Sequence, residues 1–489
     1  MKRNYIRPVT AIVLALIVSF SGISDAAKKS THRNRPRAEK KAEAAVTRAD
    51  TAAPVELSLP PVDEYVSNSG IQVVYIRDTL PQLTILVSVG FGKLYETANN
   101  AGISELLAKT LARGGSKKYP GDALYAAIEA IGGRFSVEPS WEGTTIAMRV
   151  LERHAGLAFD ILGDIMANPN FDQGFLDEAK SMMREGVRRK KDSPEGLAFE
   201  KLREIIFNGE GYGAVTREST IDSVTLDDVK RVWASHFTAK NIMIGVSSSI
   251  DAAAVRKYIA RAFSGIEEGK RMPYRADGEA FRSAVRKSAG KIYLIPRPIP
   301  QATIVVGALA PTVLDGGVYA LNVMNYILGE GSFNSRLMRE IRVKRGLSYA
   351  VQSVIKFRKE TGVFMAFAQT KNAQAAVTLS LLRDTINGMA GDTVTDDELR
   401  WAKASIAQSY IFEFDTALNM LDKYSFLYYN GLPAAYLTEY QSRIHGVDAA
   451  SILRESKRLL RDGLVVVVVG GDELKGALAK IGEVVVVNP

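Results

Sequence analysis

An arginine and a tyrosine seven positions apart are the residues of this chain best suited to act together on a substrate. Arg342 and Tyr349 stand in the stretch Arg-Val-Lys-Arg-Gly-Leu-Ser-Tyr, with a Gly-Leu break between them. That break lets a guanidinium and a phenol point at one place, where they can hold a peptide carbonyl and donate hydrogen bonds to a developing oxyanion. The alternative interpretation is structural: a salt-bridged arginine that caps a helix, beside a packed tyrosine.

The residues that precede the pair favour the chemical interpretation. A turn punctuated by Gly329 and Gly331 is followed by Ser332 and a short amphipathic segment. With the arginine and tyrosine, this order resembles the arginine–tyrosine motif of the insulinase–pitrilysin peptidases, zinc proteases with an inverted zinc motif. The resemblance implies that Tyr349 lies near the tetrahedral intermediate and that Arg342 holds substrate backbone. It also assigns substrate binding to the turn residues Gly329, Gly331 and Ser332.

The zinc-binding half of that family's site is missing from this sequence. In the family, a helix carries His-x-x-Glu-His, in which the histidines bind zinc and the glutamate activates water. The resemblance places Glu105, Ala108 and Lys109 at those three positions, in a frame that begins at Asn100. A protonated lysine does not ligate zinc, and alanine does not activate water. Glu105 and Lys109 can instead form an i,i+4 ion pair on the helix surface.

The family's remaining zinc ligand, a glutamate on a later helix, corresponds by spacing to Glu185. One carboxylate does not hold zinc, so Glu185 is interpreted as a solvated helix residue, with a Glu105/Glu185 site for another metal as the alternative. The chain has four histidines, and no two of them have the i,i+4 spacing of a helical metal site. It has no cysteine. We therefore expect no metal on this chain.

Length and internal similarity predict the fold class. A chain of 489 residues is too long for one hydrophobic core, so two or more domains are expected. Strand and helix patterns of the first half return in the same order in the second, which indicates a duplicated domain. We predict an α+β fold of two homologous α/β repeats, each a mostly antiparallel sheet with helices packed on one face.

Several elements can be placed on the sequence. Segments 71–76 and 83–89 are β-branched runs around a short turn and predict paired strands. Hairpins are predicted over 134–151 in the first repeat and 347–369 in the second. The counterpart of the zinc helix is predicted over 102–111.

The same pattern gives domain boundaries. Residues 1–26 combine a basic start, a short apolar stretch and a small-x-small site, which predict a signal peptide; an uncleaved membrane anchor is the alternative. Residues 27–54 predict a basic disordered tail. We then expect a first peptidase-like domain with the degenerate zinc motif over 55–264, a linker over 265–287, and a second peptidase-like domain with the Arg/Tyr motif over 288–489.

The net charge of +9 is concentrated at the start of the chain. Residues 1–50 hold 11 Lys and Arg against four Asp and Glu, which leaves the remainder close to neutral. We therefore expect no nucleic-acid partner, and no stable membrane insertion after cleavage of the signal. The tail is interpreted as a solvated linker, with contact to anionic lipid or cell-wall polymer as the alternative. The signal predicts export, most simply to a bacterial periplasm.

The resemblance implies a function that this chain performs with a partner. The expected role is the non-zinc subunit of a heterodimeric periplasmic zinc metallopeptidase, similar to the bacterial two-subunit relatives of mitochondrial processing peptidase. A homologous subunit would carry the zinc, this chain would need no cofactor, and unstructured peptides would be the substrates. Two alternatives stay open: a catalytically inactive scaffold with the peptidase fold, and a peptide-binding protein of the cell envelope.

Overall fold

Two six-stranded sheets organise residues 57–274 and 276–488, which are the residues that the computed structural model describes. The signal peptide and basic tail predicted from the sequence lie outside these residues. The first sheet contains β1 Val62–Val66, β2 Gln72–Arg77, β3 Gln82–Val89, β4 Arg134–Pro139, β5 Thr144–Leu151 and β6 Ile242–Ser248. The second contains β7 Lys291–Pro296, β8 Gln301–Ala310, β9 Ser348–Lys356, β10 Gly362–Lys371, β11 Val465–Gly470 and β12 Glu483–Val486.

The helices follow one another in a similar order in the two repeats. Those of the first are α1 Ile103–Gly114, α2 Asp122–Glu129, α3 Ala155–Ala167, α4 Gln173–Lys191, α5 Pro194–Ile206, α6 Glu218–Ser223, α7 Leu226–His236 and α8 Ala252–Ala262. The remainder are α9 Gly278–Ser288, α10 Val318–Asn325, α11 Ala375–Gly391, α12 Asp396–Ser409, α13 Ala417–Asn430, α14 Ala435–Thr438, α15 Tyr440–His445, α16 Ala449–Leu459 and α17 Leu474–Leu478. None of these helices is long and apolar enough to cross a membrane.

Five strands of each sheet follow the same order, which confirms the predicted duplication, whereas the sixth differs: β1 precedes β2 and is antiparallel to it, and β12 ends the chain and is parallel to β7. The first runs β1-β2-β6-β3-β5-β4 and the second β12-β7-β11-β8-β10-β9. In each, the late strand β6 or β11 is parallel to one neighbour and antiparallel to the other. The prediction that β2 and β3 pair with each other is wrong, because β6 lies between them. All residues of β6 are buried, so this strand needs a neighbour on each side.

Alternate residues of one strand enter two different cores. Val73 and Tyr75 of β2 pack into the large core under the first repeat's own helices, whereas Val74 and Ile76 pack into a separate core on the opposite face. This alternation follows from the two-residue period of a strand. Each sheet therefore has helices of its own repeat on one face, as predicted, and a second apolar face that needs another cover.

A helix from the other repeat provides that cover in each case. Helix α5 of the first repeat packs Leu202 and Ile206 against the second sheet, where they meet Val465 and Val467 of β11. Helix α13 of the second repeat packs Leu421 and neighbouring apolar residues against the first sheet. The two repeats thus exchange helices, and neither sheet is covered on both faces by its own repeat.

The range predicted as a linker contains secondary structure. Helix α9 begins at Gly278, within the predicted 265–287 segment, and is capped by the Asp277 carboxylate, which accepts from Ala280 N at 2.9 Å. Its Phe281 and Val285 pack into the same core as α5. This part of the connection therefore belongs to the packed structure of the second sheet.

A buried histidine near the end of α7 makes the stability of this fold sensitive to pH. The His236 ring lies 4.7 Å from the centroid of Phe91 and 4.8 Å from that of Tyr95, and its Nδ1 has no hydrogen-bond partner. Burial lowers the pKa of His236 to about 4. As the pH falls, the unfolded chain therefore takes up a proton before the folded chain does, and the folded state loses relative stability.

We expect the free energy of unfolding to fall by about 2 kcal/mol between pH 7 and pH 5 on account of His236 alone. Urea unfolding at the two pH values should show a clearly smaller fall in a His236→Phe variant, which keeps the ring stack without the titrating nitrogen. His445→Gln is the matched control, because that side chain is exposed. An equal fall in wild type and His236→Phe would contradict this assignment.

Candidate functional site

The segment that carries Arg342 is a helical hairpin leading into the edge strand of the second sheet. Helix α10 continues into a π-helical turn over Tyr326–Glu330, and after a short turn the chain forms a second one over Met338–Val343. Gly346 N then donates to Arg342 O at 2.9 Å and ends the helical turn. Strand β9 starts two residues later, so the Gly-Leu break does bring the arginine and the tyrosine together as predicted.

Two exposed aromatic rings flank the Arg342 guanidinium. Its Cζ lies 4.7 Å from the centroid of Tyr349 and 5.0 Å from that of Phe333. Tyr349 is 79% exposed and Phe333 is 59% exposed. Both rings therefore lie within cation–π distance of the guanidinium, which forms no hydrogen bond with the described residues and can donate to a carbonyl oxygen.

No carboxylate competes for Arg342 among the described residues, because its side chain forms no ion pair and no hydrogen bond there. The neighbouring Arg345 differs in this respect, since its Nη1 contacts both the backbone oxygen and Oε2 of Glu340 at 2.8 Å. The structural alternative of a salt-bridged cap with a packed tyrosine therefore does not describe Arg342 and Tyr349. The sequence analysis did not single out Phe333, although its position directly after the glycine turn was visible there.

The two glycines of the turn allow close packing. A Cβ at Gly329 would overlap the backbone nitrogen of Ser353 in β9, and one at Gly331 would overlap the ring of Trp401. Ser332 is exposed and has a φ of 54°, an unusual backbone conformation for a residue with a side chain. Of the three residues predicted to bind substrate, only Ser332 is therefore exposed, and the two glycines are buried in packing contacts.

We expect Gly329→Ala to lower the free energy of unfolding by about 2 kcal/mol or more, because backbone atoms of β9 must move to admit the methyl group. Gly388→Ala is the matched control. Gly388 lies in helix α11 with no atom near the position of an added Cβ, so its replacement should leave stability unchanged or raise it by up to about 1 kcal/mol. Urea titrations of both variants provide the measurement, and a Gly329→Ala protein as stable as the control would contradict the packing argument.

One largely buried carboxylate anchors the segment that carries Arg342. Glu398 is 12% exposed and accepts from Arg336 Nε at 2.9 Å, Arg336 Nη2 at 2.7 Å and Arg339 Nη2 at 3.1 Å. It also accepts from Thr395 N at 3.1 Å in the capping box that begins α12. Burial opposes its ionisation, but these hydrogen bonds and charges hold the pKa of Glu398 at about 2.

Glu398→Gln should destabilise the protein by roughly 2–3 kcal/mol, because the largely buried Arg336 guanidinium loses its counter-charge and the exposed Arg339 loses its partner. Asp397→Asn provides a matched control one residue away: Asp397 also pairs with an arginine, Arg400, but is 88% exposed, and exposed pairs contribute little. Chemical unfolding should separate the two variants. Equal stabilities would mean that Glu398 does not anchor the segment.

Helix α1 carries an ion pair at two of the positions that the sequence analysis predicted as the degenerate zinc motif. Glu105 Oε1 lies 3.5 Å from Lys109 Nζ, which confirms the predicted helix-face pair, and Ala108 is buried. Glu138 on the adjacent edge strand β4 has a pKa raised by burial, with Lys109 lowering it and Glu105 raising it. Lys109 thus interacts electrostatically with both carboxylates.

Helix α1 is held at its start by a carboxylate that the sequence analysis did not identify. Glu96 is almost fully buried and accepts from Gly102 N at 2.9 Å and Ser104 N at 3.1 Å. These bonds satisfy backbone N–H groups that a helix start leaves without partners. Glu96 lies in the loop before α1, farther from the helix start than a usual N-cap residue. The sequence pattern alone therefore gives little indication that it caps the helix.

Glu185 lies on the surface of α4. It is 59% exposed and its nearest cation is Arg189, 3.8 Å away. Across residues 57–274 and 276–488, no group of three or more His, Cys, Asp or Glu side chains is arranged to hold a metal ion. The residues around α1 thus include an ion pair and single carboxylates. In the second repeat, the exposed side chains suited to bind a substrate are those of Arg342 and Tyr349. Together these features make the exposed Arg342–Tyr349 pair the candidate functional site of the described residues.

Two family models match consecutive parts of the chain. The model of the insulinase peptidase family M16 matches residues 72–219, and the model described as the peptidase M16 inactive domain matches residues 223–406. The two together cover about two thirds of the chain. The chain therefore belongs to the insulinase (M16) peptidase family.

Individual relatives carry names of two kinds. The chain is 26% identical over 374 residues to an uncharacterized zinc protease of Streptomyces coelicolor, covering 75% of this chain and 80% of that protein. It is 24% identical over 374 residues to the non-peptidase homolog YmxG of Helicobacter pylori, covering 75% and 84%. A crystal structure of a peptidase M16 inactive domain from Pseudomonas fluorescens has the same fold, with a TM-score of 0.75 at 21% identity over 84% of this chain and 98% of that chain.

Proposed function

We propose that this chain is the non-zinc subunit of a two-chain zinc metallopeptidase. The observation that carries the proposal is the exposed pair Arg342 and Tyr349, with a guanidinium free of ion pairs among the described residues. An unpaired arginine stacked on an exposed tyrosine is suited to a ligand from outside the chain. Because the α1 positions Glu105, Ala108 and Lys109 offer one carboxylate and no histidine, the metal is assigned to a homologous partner chain.

In this proposal the two subunits divide the chemistry. The partner's zinc would supply activated water for attack on a peptide carbonyl. Arg342 would donate to a backbone carbonyl of the substrate and so hold the peptide in place. The Tyr349 hydroxyl would donate to the oxyanion that forms at the attacked carbon, a contact stronger in the transition state than in the ground state.

The substrates in this proposal are unstructured peptides that add a strand to a sheet edge. Strand β9, which carries Tyr349, is the last strand of the second sheet and therefore an edge. Export to a periplasm is part of the same proposal and rests on the basic start, the apolar stretch and the small-x-small site of residues 1–26. No cofactor is assigned to this chain.

A second candidate is an inactive member of the family that acts as a scaffold or binds peptides without cleaving them. Two observations favour it: no metal cluster exists among the described residues, and the Helicobacter pylori relative is named a non-peptidase homolog. In that case the Arg342–Tyr349 pair would bind peptide or partner without turnover, and its variants would change affinity alone.

The first experiment tests whether this chain has a zinc-bearing partner. Tagged protein isolated from its own cells should carry a stoichiometric chain with a His-x-x-Glu-His sequence, and the eluate should cleave a quenched fluorescent peptide in a manner that a chelator abolishes. Isolation of the chain alone or with scaffold proteins, without chelator-sensitive cleavage, would favour the second candidate.

Within such a complex, we expect Tyr349→Phe to lower kcat by roughly 100-fold with intact complex formation, since the variant lacks only the donating hydroxyl. Arg342→Gln should raise KM and lower kcat. Arg345→Gln is the matched control, because that guanidinium lies three residues away and is already engaged by Glu340. Unchanged turnover in both Tyr349→Phe and Arg342→Gln would refute the proposed role of the pair.

A further inference from the structure

Three cationic side chains surround a single tryptophan where the two repeats meet. Trp141 lies in the turn between β4 and β5, and the centroid of its ring is 4.7 Å from Arg358 Cζ, 5.1 Å from Arg203 Cζ and 5.4 Å from Lys93 Nζ. Lys93 precedes α1, Arg203 belongs to α5, and Arg358 lies in the turn between β9 and β10. We call these three cations and Trp141 the cation cluster.

None of the three cations forms an ion pair or a side-chain hydrogen bond with any described residue. The nearby carboxylates are already engaged. Glu142 accepts from the Tyr212 hydroxyl and from Lys359 N at 2.8 Å, and Glu200 pairs with Lys190. Glu142 and Glu200 still attract Arg358 and Arg203, but two carboxylates do not balance the three cations and Lys190, so positive charge is in excess at this point.

The surroundings make this excess unfavourable in the free protein. Burial lowers the pKa of Arg203 to about 10, in spite of Glu200 and with a contribution from the charge of Arg358. Burial also lowers the pKa of Arg358. Stacking on the indole stabilises each cation modestly but does not neutralise it, and desolvated arginines are ordinarily paired with an anion.

We propose that the cation cluster binds a peptide carboxylate. Guanidinium groups hold carboxylates through two parallel N–H···O bonds, and two guanidiniums with an ammonium offer such a group several donors. A carboxylate bound here would contact both repeats, because the turn that holds Trp141 and the turn that holds Arg358 touch through Glu142 and Lys359. The proposal requires neither the Arg342–Tyr349 pair nor a zinc-bearing partner.

Tryptophan fluorescence of the purified chain tests the proposal directly, since Trp141 is one of three tryptophans. At constant ionic strength, N-acetyl-trialanine with a free carboxyl terminus should change the emission in a saturable way. The same peptide with an amidated terminus should not. An amidated peptide with an internal aspartate shows whether a side-chain carboxylate binds as well as a carboxylate at the chain terminus.

The variants locate the effect. Trp141→Phe should abolish the emission change, and Arg203→Gln or Arg358→Gln should weaken binding by about 10-fold, the loss expected for one charge-assisted hydrogen bond. If the glutamine variants do not fold, Arg203→Lys replaces them, because it keeps the positive charge but lacks the planar guanidinium group.

Arg256→Gln is the matched control. Its guanidinium also stacks on an aromatic ring, 4.1 Å from the centroid of Tyr65, but it is paired with Asp63 at 2.7 Å. Peptide binding should be unchanged in this variant. The proposal is overturned if the amidated peptide without aspartate binds equally well, if only inorganic phosphate produces a saturable change, or if Trp141→Phe retains the full signal.

Discussion

The exchange of helices between the two repeats is the constraint on which the remaining structure depends. Both sheets are apolar on both faces, and each repeat's own helices cover only one. Helix α5 buries Leu202 and Ile206 against the second sheet, and α13 buries Leu421 against the first. Burial of such side chains stabilises a protein by about 1.5–3 kcal/mol each. The repeats should therefore unfold as one cooperative unit, because separating them exposes both second faces.

The same exchange brings distant charged residues together. Arg203 lies on α5 beside its apolar contact residues, so the packing of α5 on the second sheet also carries this arginine to Trp141 and Arg358. The contact between the two hairpin turns, through Glu142 and Lys359, occurs at the same place. The unbalanced positive charge of the cation cluster is thus a consequence of how the repeats are joined.

Arginines in this chain fall into two groups with different physical roles. Arg336 and Arg339 share the largely buried carboxylate of Glu398 and hold a helical segment in place. Arg342, on that same segment, lies beside two aromatic rings and forms no ion pair or side-chain hydrogen bond with the described residues. A rigidly anchored support next to an unpaired guanidinium is the arrangement that a positioned hydrogen-bond donor needs, since orientation is then fixed before any ligand arrives.

Local pattern in the sequence determined most of the elements and their duplication. The hairpins, the helix of Glu105 and Lys109, and the meeting of Arg342 with Tyr349 across a Gly-Leu break all follow from residue spacing, because these features depend on neighbours within a few turns of chain. The Thr395–Glu398 capping box is a contact between near neighbours, whereas the pairing of Glu398 with Arg336 joins residues far apart in the chain. The absence of the zinc histidines needed no structure at all.

Tertiary structure decided what depends on residues far apart in the chain. The position of β6 between β2 and β3, the helical nature of part of the predicted linker, and the crossing of α5 and α13 arise from burying apolar faces against distant partners. The same holds for Phe333 over Arg342 and for the three cations around Trp141. Sequence spacing fixes which face of an element is apolar or charged, whereas only packing decides which distant face it meets.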